Sequence, residues 1–325
     1  MNPAVASVRN AVADVFDVQS VMPDSLVLVA VSGGTDSMAL AAATRFVAAK
    51  RGVRMAAAVI DHGLQSGSAE VATRAATALN GLRIADVVVR AVDVGTDGGP
   101  EAAAREARYL GLMGVAAELG ASMILTGHTR NDQAESVILG FTRGSGPGSV
   151  RGMPAFDGVI GRPLLDVTRE TTRAACAAEG IDPWDDPHND DPSFTRVRIR
   201  NTILPTLESE LGPGIVEALA RTAELLRDDD DALDLLAAGM ARTAMTTDGE
   251  VALLVDQTAA KPRALRSRLI RLAATEAFLT TLSYAQTVAI DALLVDWHGQ
   301  GPIDVSGGSV VRQDGRLIFR PRSEA

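Results

Sequence analysis

Apolar residues follow two rhythms along this chain. In the first half, SLVLVAV (25–31), RMAAAVI (54–60), ADVVV (85–89) and SMILTG (122–127) are short, nearly unbroken apolar runs. Such runs suit strands covered on both faces. Between them the spacing turns helical near 36–50, 67–80 and 100–119, with Pro100 fit for a first helical turn. Strands alternating with helices predict a parallel sheet with crossover helices.

The second half reads differently. After a helix beginning near Asn131, the glycine-rich TRGSGPGSVRGMP (142–154) predicts a mobile loop without regular structure, long for a mere connector. IDPWDDPHNDDPSF (181–194) and the arginine-rich TRVRIRNTILPTL (195–207) come after it, and ELGPGI (210–215) marks a domain boundary. A long helix, helices near 262–278 and 284–297, and a terminal hairpin turning at Asp314-Gly315 come next. The expected fold class is α/β: a Rossmann-like parallel-sheet domain over 1–212, then a smaller, mainly helical C-terminal domain over 213–325 ending in a β-hairpin.

Composition narrows the class. With 325 residues, 46% hydrophobic and 22% charged, the chain can bury a substantial core. The sequence has no apolar run of the roughly 18 to 20 residues that a membrane span needs, and MNPAVASVRNAVADVF reads as an amphipathic helix, not a signal sequence. A cytoplasmic protein with no membrane partner is expected. The single cysteine, Cys176, excludes an internal disulfide, a cysteine-only zinc site and an iron–sulfur cluster held by one chain. A net charge of −10 argues against a protein that simply coats nucleic acid, but a local arginine patch can still hold RNA.

The chemistry begins at Ser32-Gly33-Gly34-Thr35-Asp36-Ser37. A strand that ends in a glycine turn and starts a helix aims backbone N–H groups at one point, at the positive end of the helix dipole. That geometry binds phosphate. Ser32, Thr35 and Ser37 add hydroxyls, whereas Asp36 needs a cation such as Mg²⁺ between itself and phosphate. Neither G-x-x-x-x-G-K-[ST] nor G-x-G-x-x-G is present there. Ser-Gly-Gly recurs at 306–308 with no helix after it, so the tripeptide by itself decides little; a plain turn with a helix cap is the alternative.

Further motifs occur in order. VIDHGLQ (59–65) ends a strand with Asp61-His62-Gly63, and EAAAREARY (101–109) puts Glu101, Arg105 and Arg108 on one helix face. LTGHTRNDQAESVI (125–138) carries Gly127-His128 and sets His128, Asp132 and Glu135 on one face if the helix starts early enough. Each has a plainer reading. Glu101 and Arg105 can form a surface pair, Thr129-x-x-Asp132 is close to a capping box, and His128 with two carboxylates can also bind a divalent ion. His188 and Asp228 to Asp231 read as solvated residues.

With SGGTDS, the loop of 142–154, RPLL (162–165) and TRVRIRNTILP, these motifs resemble the tRNA(Ile)-lysidine synthase family of the ATP pyrophosphatase (PP-loop) superfamily. The resemblance runs through residue 207. It implies an ATP-dependent, AMP-forming ligase that joins L-lysine to C2 of the wobble cytidine in the CAU anticodon of tRNA(Ile). Cytidine O2 attacks the ATP α-phosphate, pyrophosphate leaves, and the lysine amine then displaces AMP. On that basis Asp36, Asp132, Glu135 and Arg108 are expected to be catalytic. Ser32, Gly33, Gly34, Thr35, Asp36, Ser37, Asp61, His62, Gly127 and His128 are expected to hold ATP, and Asp36 the Mg²⁺. Arg143, Arg151, Arg196, Arg198 and Arg200 are expected to bind tRNA, although the last three could instead pair with the aspartates of 185–191. A lysine amine of pKa about 10.4 is neutral only about once in 2,500 molecules at pH 7, so Asp132 or Glu135 is expected to receive its proton.

The sequence departs from the family pattern at Asn131, where a second Asp is usual, at Ser136 and at Gln65. A homodimer is a family expectation. The alternatives are another PP-loop tRNA-modifying enzyme, a 2-thiolase, and an inactive tRNA-binding relative.

Overall fold

The computed structural model describes residues 2–63, 67–95, 99–144, 146–185, 190–247 and 249–322, without the side chains of Pro100, Glu101 and Arg143. The chain forms two compact units, residues 1–144 with 149–224, and residues 145–148 with 225–325.

In the first unit, strands β1 (Leu26–Ala30), β2 (Arg54–Asp61), β3 (Asp86–Ala91), β4 (Met123–Leu125), β5 (Phe156–Asp157) and β6 (Ile160–Gly161) form one sheet in the order β3-β2-β1-β4-β6-β5. Every pairing is parallel except β5 with β6. Helices α1 (Pro3–Val18), α2 (Thr35–Arg51), α3 (Ser68–Gly81), α4 (Pro100–Leu119) and α5 (Arg130–Arg143) connect and cover it. The apolar runs are unbroken because alternate residues enter separate cores. Val27 and Val29 pack with Val12, Phe16 and Leu40 on one face, while Leu26 and Leu28 pack with Leu112 and Val115 on the other.

The chain leaves β1 for β2 on one side and returns for β4 on the other. Such a reversal opens a crevice at the carboxyl ends of the strands. Both glycine motifs of the sequence, at 33–34 and at 127, come directly after those strand ends.

The expected structureless loop contains one helical turn, α6 (Pro147–Val150), together with β5 and β6 beyond it. Pro147 opens that turn, which corrects the expectation for 142–154. Then come α7 (Arg169–Glu179), α8 (Thr195–Arg198), a wide π-type turn at Ile199–Ile203, and α9 (Leu204–Leu211). Helix α10 (Ile215–Ala244) carries the division between the units near residue 224.

In the second unit the hairpin of β10 (Gly308–Gln313) and β11 (Arg316–Pro321) is part of a larger sheet. With β7 (Met245–Thr246), β8 (Val251–Leu254) and β9 (Ile303–Val305) it makes five antiparallel strands, ordered β7-β8-β11-β10-β9. After the short α11 (Val255–Thr258), helices α12 (Arg263–Phe278) and α13 (Tyr284–Val295) lay Leu269, Ile270, Ile290 and Leu293 against Leu253, Leu317 and Phe319. Among the described residues no helix is long and apolar enough to cross a membrane.

Candidate active site

The loop after β1 is built around one left-handed residue. Gly33 has φ +87°, and a Cβ there would lie 3.2 Å from that of Ala75, so a side chain is disfavoured twice. Its carbonyl accepts a hydrogen bond from Trp184 N–H at 3.0 Å. Ser37 closes the loop by donating its hydroxyl to the Gly34 carbonyl at 2.9 Å and accepting the Ser32 N–H at 3.2 Å. The first turn of α2 thereby faces the crevice with N–H groups that have no partner within the helix. Gly127 serves close approach: a Cβ there would lie 3.0 Å from Ser37 N and 3.1 Å from Asp36 O.

These elements border a cavity of about 580 Å³, a size suited to a nucleotide-like ligand. Ser32, Gly34, Thr35, Asp36 and Ser37 line one side. Ala30, Ala58, Ile60, Tyr109 and Leu112 give it an apolar end. His62, Arg108, Gly127, His128, Asp132, Arg196 and Arg200 also line it. The His62 Nδ1 is buried without a hydrogen-bond partner, an orphan polar atom that a ligand would satisfy.

Some expected residues lie elsewhere. Asp61 does not line the cavity; its carboxylate accepts the Gly63 N–H at 3.0 Å and holds the turn after β2. Arg198 donates to the Pro192 and Ser193 carbonyls at 2.6 and 2.8 Å, stiffening its own loop. Arg151 is outside the cavity lining. Arg143 ends α5. The side chains of Arg143 and Glu101, and all of Gln65 and His188, lie outside the described residues.

The expected shared face of His128, Asp132 and Glu135 needs correction. Helix α5 starts at Arg130, with Thr129 as its cap, so His128 precedes the helix. Asp132 Oδ2 accepts both the N–H and the hydroxyl of Thr129 at 2.8 Å, which is the capping role the sequence suggested. The His128 Nδ1 lies 2.9 Å from the Thr126 hydroxyl. Burial, with Arg108 and Arg196 nearby, outweighs the pull of Asp132 and drives the imidazole down to about 3. It is therefore neutral at physiological pH.

A charge cluster forms part of the cavity wall: Asp36, Asp132, Arg169, Arg196 and Arg200 line the cavity, and Glu135 lies behind them, outside the lining. Glu135 is fully buried and accepts from Arg196 Nε at 2.8 Å, from Arg200 Nε at 2.8 Å and Nη2 at 3.2 Å, and from Arg169 Nη2 at 3.2 Å. Asp132 Oδ1 meets the same three guanidiniums at 3.2 to 3.5 Å. Burial pushes the Asp132 carboxyl up, but Arg196 and Arg169 overcome it and hold it at about 2. Asp36 sits close by, accepting the Thr172 hydroxyl and lying 3.5 Å from Arg169 Nε. Its carboxyl is raised, chiefly by burial. Glu135 and Asp132 thus draw Arg196 and Arg200 to the cavity wall.

Among the described residues no three carboxylate, imidazole or thiolate groups gather as a metal cage. A magnesium site here would use Asp36 with phosphate oxygens, in keeping with an ion held by one or two carboxylates plus phosphates.

Two family models match the chain: one described as the PP-loop domain over residues 6–207, and one as the TilS substrate binding domain over 253–318. The tRNA(Ile)-lysidine synthase of Leifsonia xyli subsp. xyli is 53% identical over 303 residues, covering 93% of this chain and 91% of that one. The chain belongs to the tRNA(Ile)-lysidine synthase family. The lysidine synthase of Thermobifida fusca is 47% identical over 319 residues, 97% of each chain. The U34-tRNA thiolase NcsA from Methanococcus maripaludis, solved with its [4Fe-4S] cluster, shares the fold: TM-score 0.57, 17% identity, 69% of this chain and 80% of that one.

Membership in the lysidine synthase family makes this chain a PP-loop ATP-using enzyme. Residues at the site that escaped sequence reasoning include Arg169, Thr172, Arg173, Trp184 and Asn201. Arg169 did leave a signal. It is the first residue of α7, where a cation opposes the helix dipole, and carboxylates from α2 and α5 account for it.

Proposed function

We propose that this protein ligates L-lysine to C2 of the wobble cytidine of tRNA(Ile) with a CAU anticodon, through an adenylated cytidine, releasing pyrophosphate and AMP. The observation that carries the reading is one cavity bordered by a phosphate-type glycine loop at one side and paired carboxylates and guanidiniums at the other. The loop and the first turn of α2 hold the leaving pyrophosphate, and Asp36 holds Mg²⁺, which neutralises phosphate charge. Arg108 supports the α-phosphate. Burial lowers its pKa, yet a guanidinium stays charged, and among the described residues it makes no hydrogen bond or ion pair. Adenylation needs positioning and charge neutralisation more than covalent help.

Asp132 at the cavity wall, backed by the buried Glu135, holds the lysine amine in its ammonium form. A carboxyl at about 2 attracts a cation strongly and accepts its proton poorly, so the proton-receiving role expected of Asp132 gives way to a holding role. His128, neutral, offers a hydrogen bond beside it. Arg151 and Arg198 remain candidates for tRNA contact; Arg196 and Arg200 act inside the cavity.

The 2-thiolation alternative fails on Cys176. This sole cysteine is buried, donates to the Thr35 carbonyl at 3.4 Å, and is pushed up to about 12 by burial and by Asp36, far from thiolate chemistry. Incubating the protein with Mg-ATP, labelled lysine and a tRNA(Ile) transcript bearing CAU, with methionine tRNA in parallel, tests the reading. Label on the isoleucine tRNA together with pyrophosphate is expected; pyrophosphate without label would point to another nucleophile, and neither signal to an inactive binder.

A further inference from the structure

The three carboxylates of the charge cluster are already paired with arginines. Asp36, Asp132 and Glu135 face Arg169, Arg196 and Arg200 within 3.5 Å, three charges against three. An amine entering this cluster meets no uncompensated carboxylate, and like charges surround it. One guanidinium has to leave before the carboxylates can hold a substrate cation.

The distances select which one. Arg200 grips Glu135 with Nε at 2.8 Å and Nη2 at 3.2 Å, and Arg196 Nε holds it at 2.8 Å. Arg169 has no such close contact: Nη2 lies 3.2 Å from Asp132 and from Glu135, and Nε 3.5 Å from Asp36. Of the three it alone reaches Asp36 with a contact this short, which puts it beside the glycine loop. Its stem is fixed, because the Arg169 N–H donates to Asn131 Oδ1 at 2.9 Å. A long side chain on a fixed stem can turn while the helix stays in place.

We propose that Arg169 makes lysine binding depend on ATP: its guanidinium lies across Asp36, Asp132 and Glu135, turns onto the triphosphate when Mg-ATP enters, and frees Asp36 for Mg²⁺ and Asp132, backed by Glu135, for the ammonium. This rests on the ligation reading above. A guanidinium fork matches phosphate oxygens well, so the triphosphate supplies the differential interaction that a population shift requires. Coupling of this kind is reciprocal, and lysine tightens ATP by the same factor.

Equilibrium dialysis of labelled lysine against the full chain tests it, with Mg²⁺ alone and with Mg²⁺ plus an ATP analogue bridged by a methylene between the α and β phosphates. Wild type is expected to bind lysine about tenfold tighter or more with the analogue. Arg169→Gln should bind lysine without the analogue better than wild type does, leaving a coupling under about threefold. Arg169→Lys, whose single ammonium cannot span three carboxylates, should fall between them. A melting curve and the analogue affinity of each variant check its fold, and if Arg169→Gln does not fold, Arg169→Lys with undiminished coupling sinks the proposal. Equal lysine affinity with and without the analogue in wild type overturns it while leaving ligation intact, as does wild-type coupling in Arg169→Gln. No lysine binding under either condition removes the ligation reading and this proposal together.

Discussion

The tripeptide Ser-Gly-Gly occurs twice, and in both copies the first glycine is left-handed, with φ +87° at Gly33 and +89° at Gly307. The copies diverge at the second glycine. Gly34 is the N-cap of a 17-residue helix, whereas Gly308 starts β10 and pairs with Val305 on one side and Pro321 on the other. Helix N-terminal N–H groups point at a ligand; strand N–H groups are consumed by the ladder. The same three residues therefore leave a cradle of open helix N–H groups in one unit and make a structural turn in the other. A helix or a strand after the tripeptide decides its chemistry.

Alanine at the second glycine of the structural turn should produce the largest effect. A Cβ at Gly308 would meet the Arg320 carbonyl oxygen at 2.1 Å and the Phe278 ring at 2.7 Å, and backbone cannot step aside as a flexible side chain can. Gly308→Ala should cost about 3 kcal/mol or more, read from the denaturant midpoint. Gly33→Ala meets only the Ala75 methyl at 3.2 Å in a left-handed conformation, costing about 1 to 2 kcal/mol. The functional readouts should invert: the folded fraction of Gly308→Ala keeps ATP affinity, and Gly33→Ala loses it. Equal losses of ATP binding in the two variants would break the distinction between cradle and turn.

Charge sharpens the contrast at a smaller scale. The cradle lies beside a cluster containing Asp132, held at about 2, whereas the glycines of the second turn are bordered by Phe278, Thr280 and Arg320 backbone. The Asp132 carboxyl is depressed below its unfolded value of 3.8. It therefore contributes stability above about pH 4, which is lost as pH falls through about 2. The stability gap between wild type and Asp132→Asn should narrow by about 2 kcal/mol between pH 5 and pH 2. A gap that stays constant over that range would show that the Asp132 charge is not what the arginines stabilise.

The parts of this molecule legible in sequence are those fixed by local rules. β1 to β4 stand out because both faces of the sheet are covered, and SGGTDS and Gly127-His128 because strand ends and glycines mark a crevice. The two-residue strands β5 and β6 carry no period to read. The inward turn of Arg196 and Arg200 was hidden for another reason: their partner Glu135 lies 61 and 65 residues away, and an arginine-rich segment looks the same whether it faces RNA or a buried carboxylate. Spacing alone places His128 on one helix face with Asp132, because it does not show that Thr129 caps the helix between them. Long-range ion pairs decide this site, and they leave only indirect marks, such as a cation at the start of α7.

Asn131 carries the smallest expected effect. Its side-chain oxygen accepts the Arg169 N–H at 2.9 Å, one of the orphan donors at the start of α7. An aspartate oxygen accepts that bond equally well and adds favourable charge at a helix N-terminus. Asn131→Asp should therefore change stability by no more than about 0.5 kcal/mol, and lysine coupling to ATP should be unchanged. Asn131→Ala removes the acceptor, costs about 1 kcal/mol, and loosens the stem on which Arg169 turns. A strong loss of activity in Asn131→Asp with stability intact would mean that position 131 reaches a ligand rather than the helix beside it.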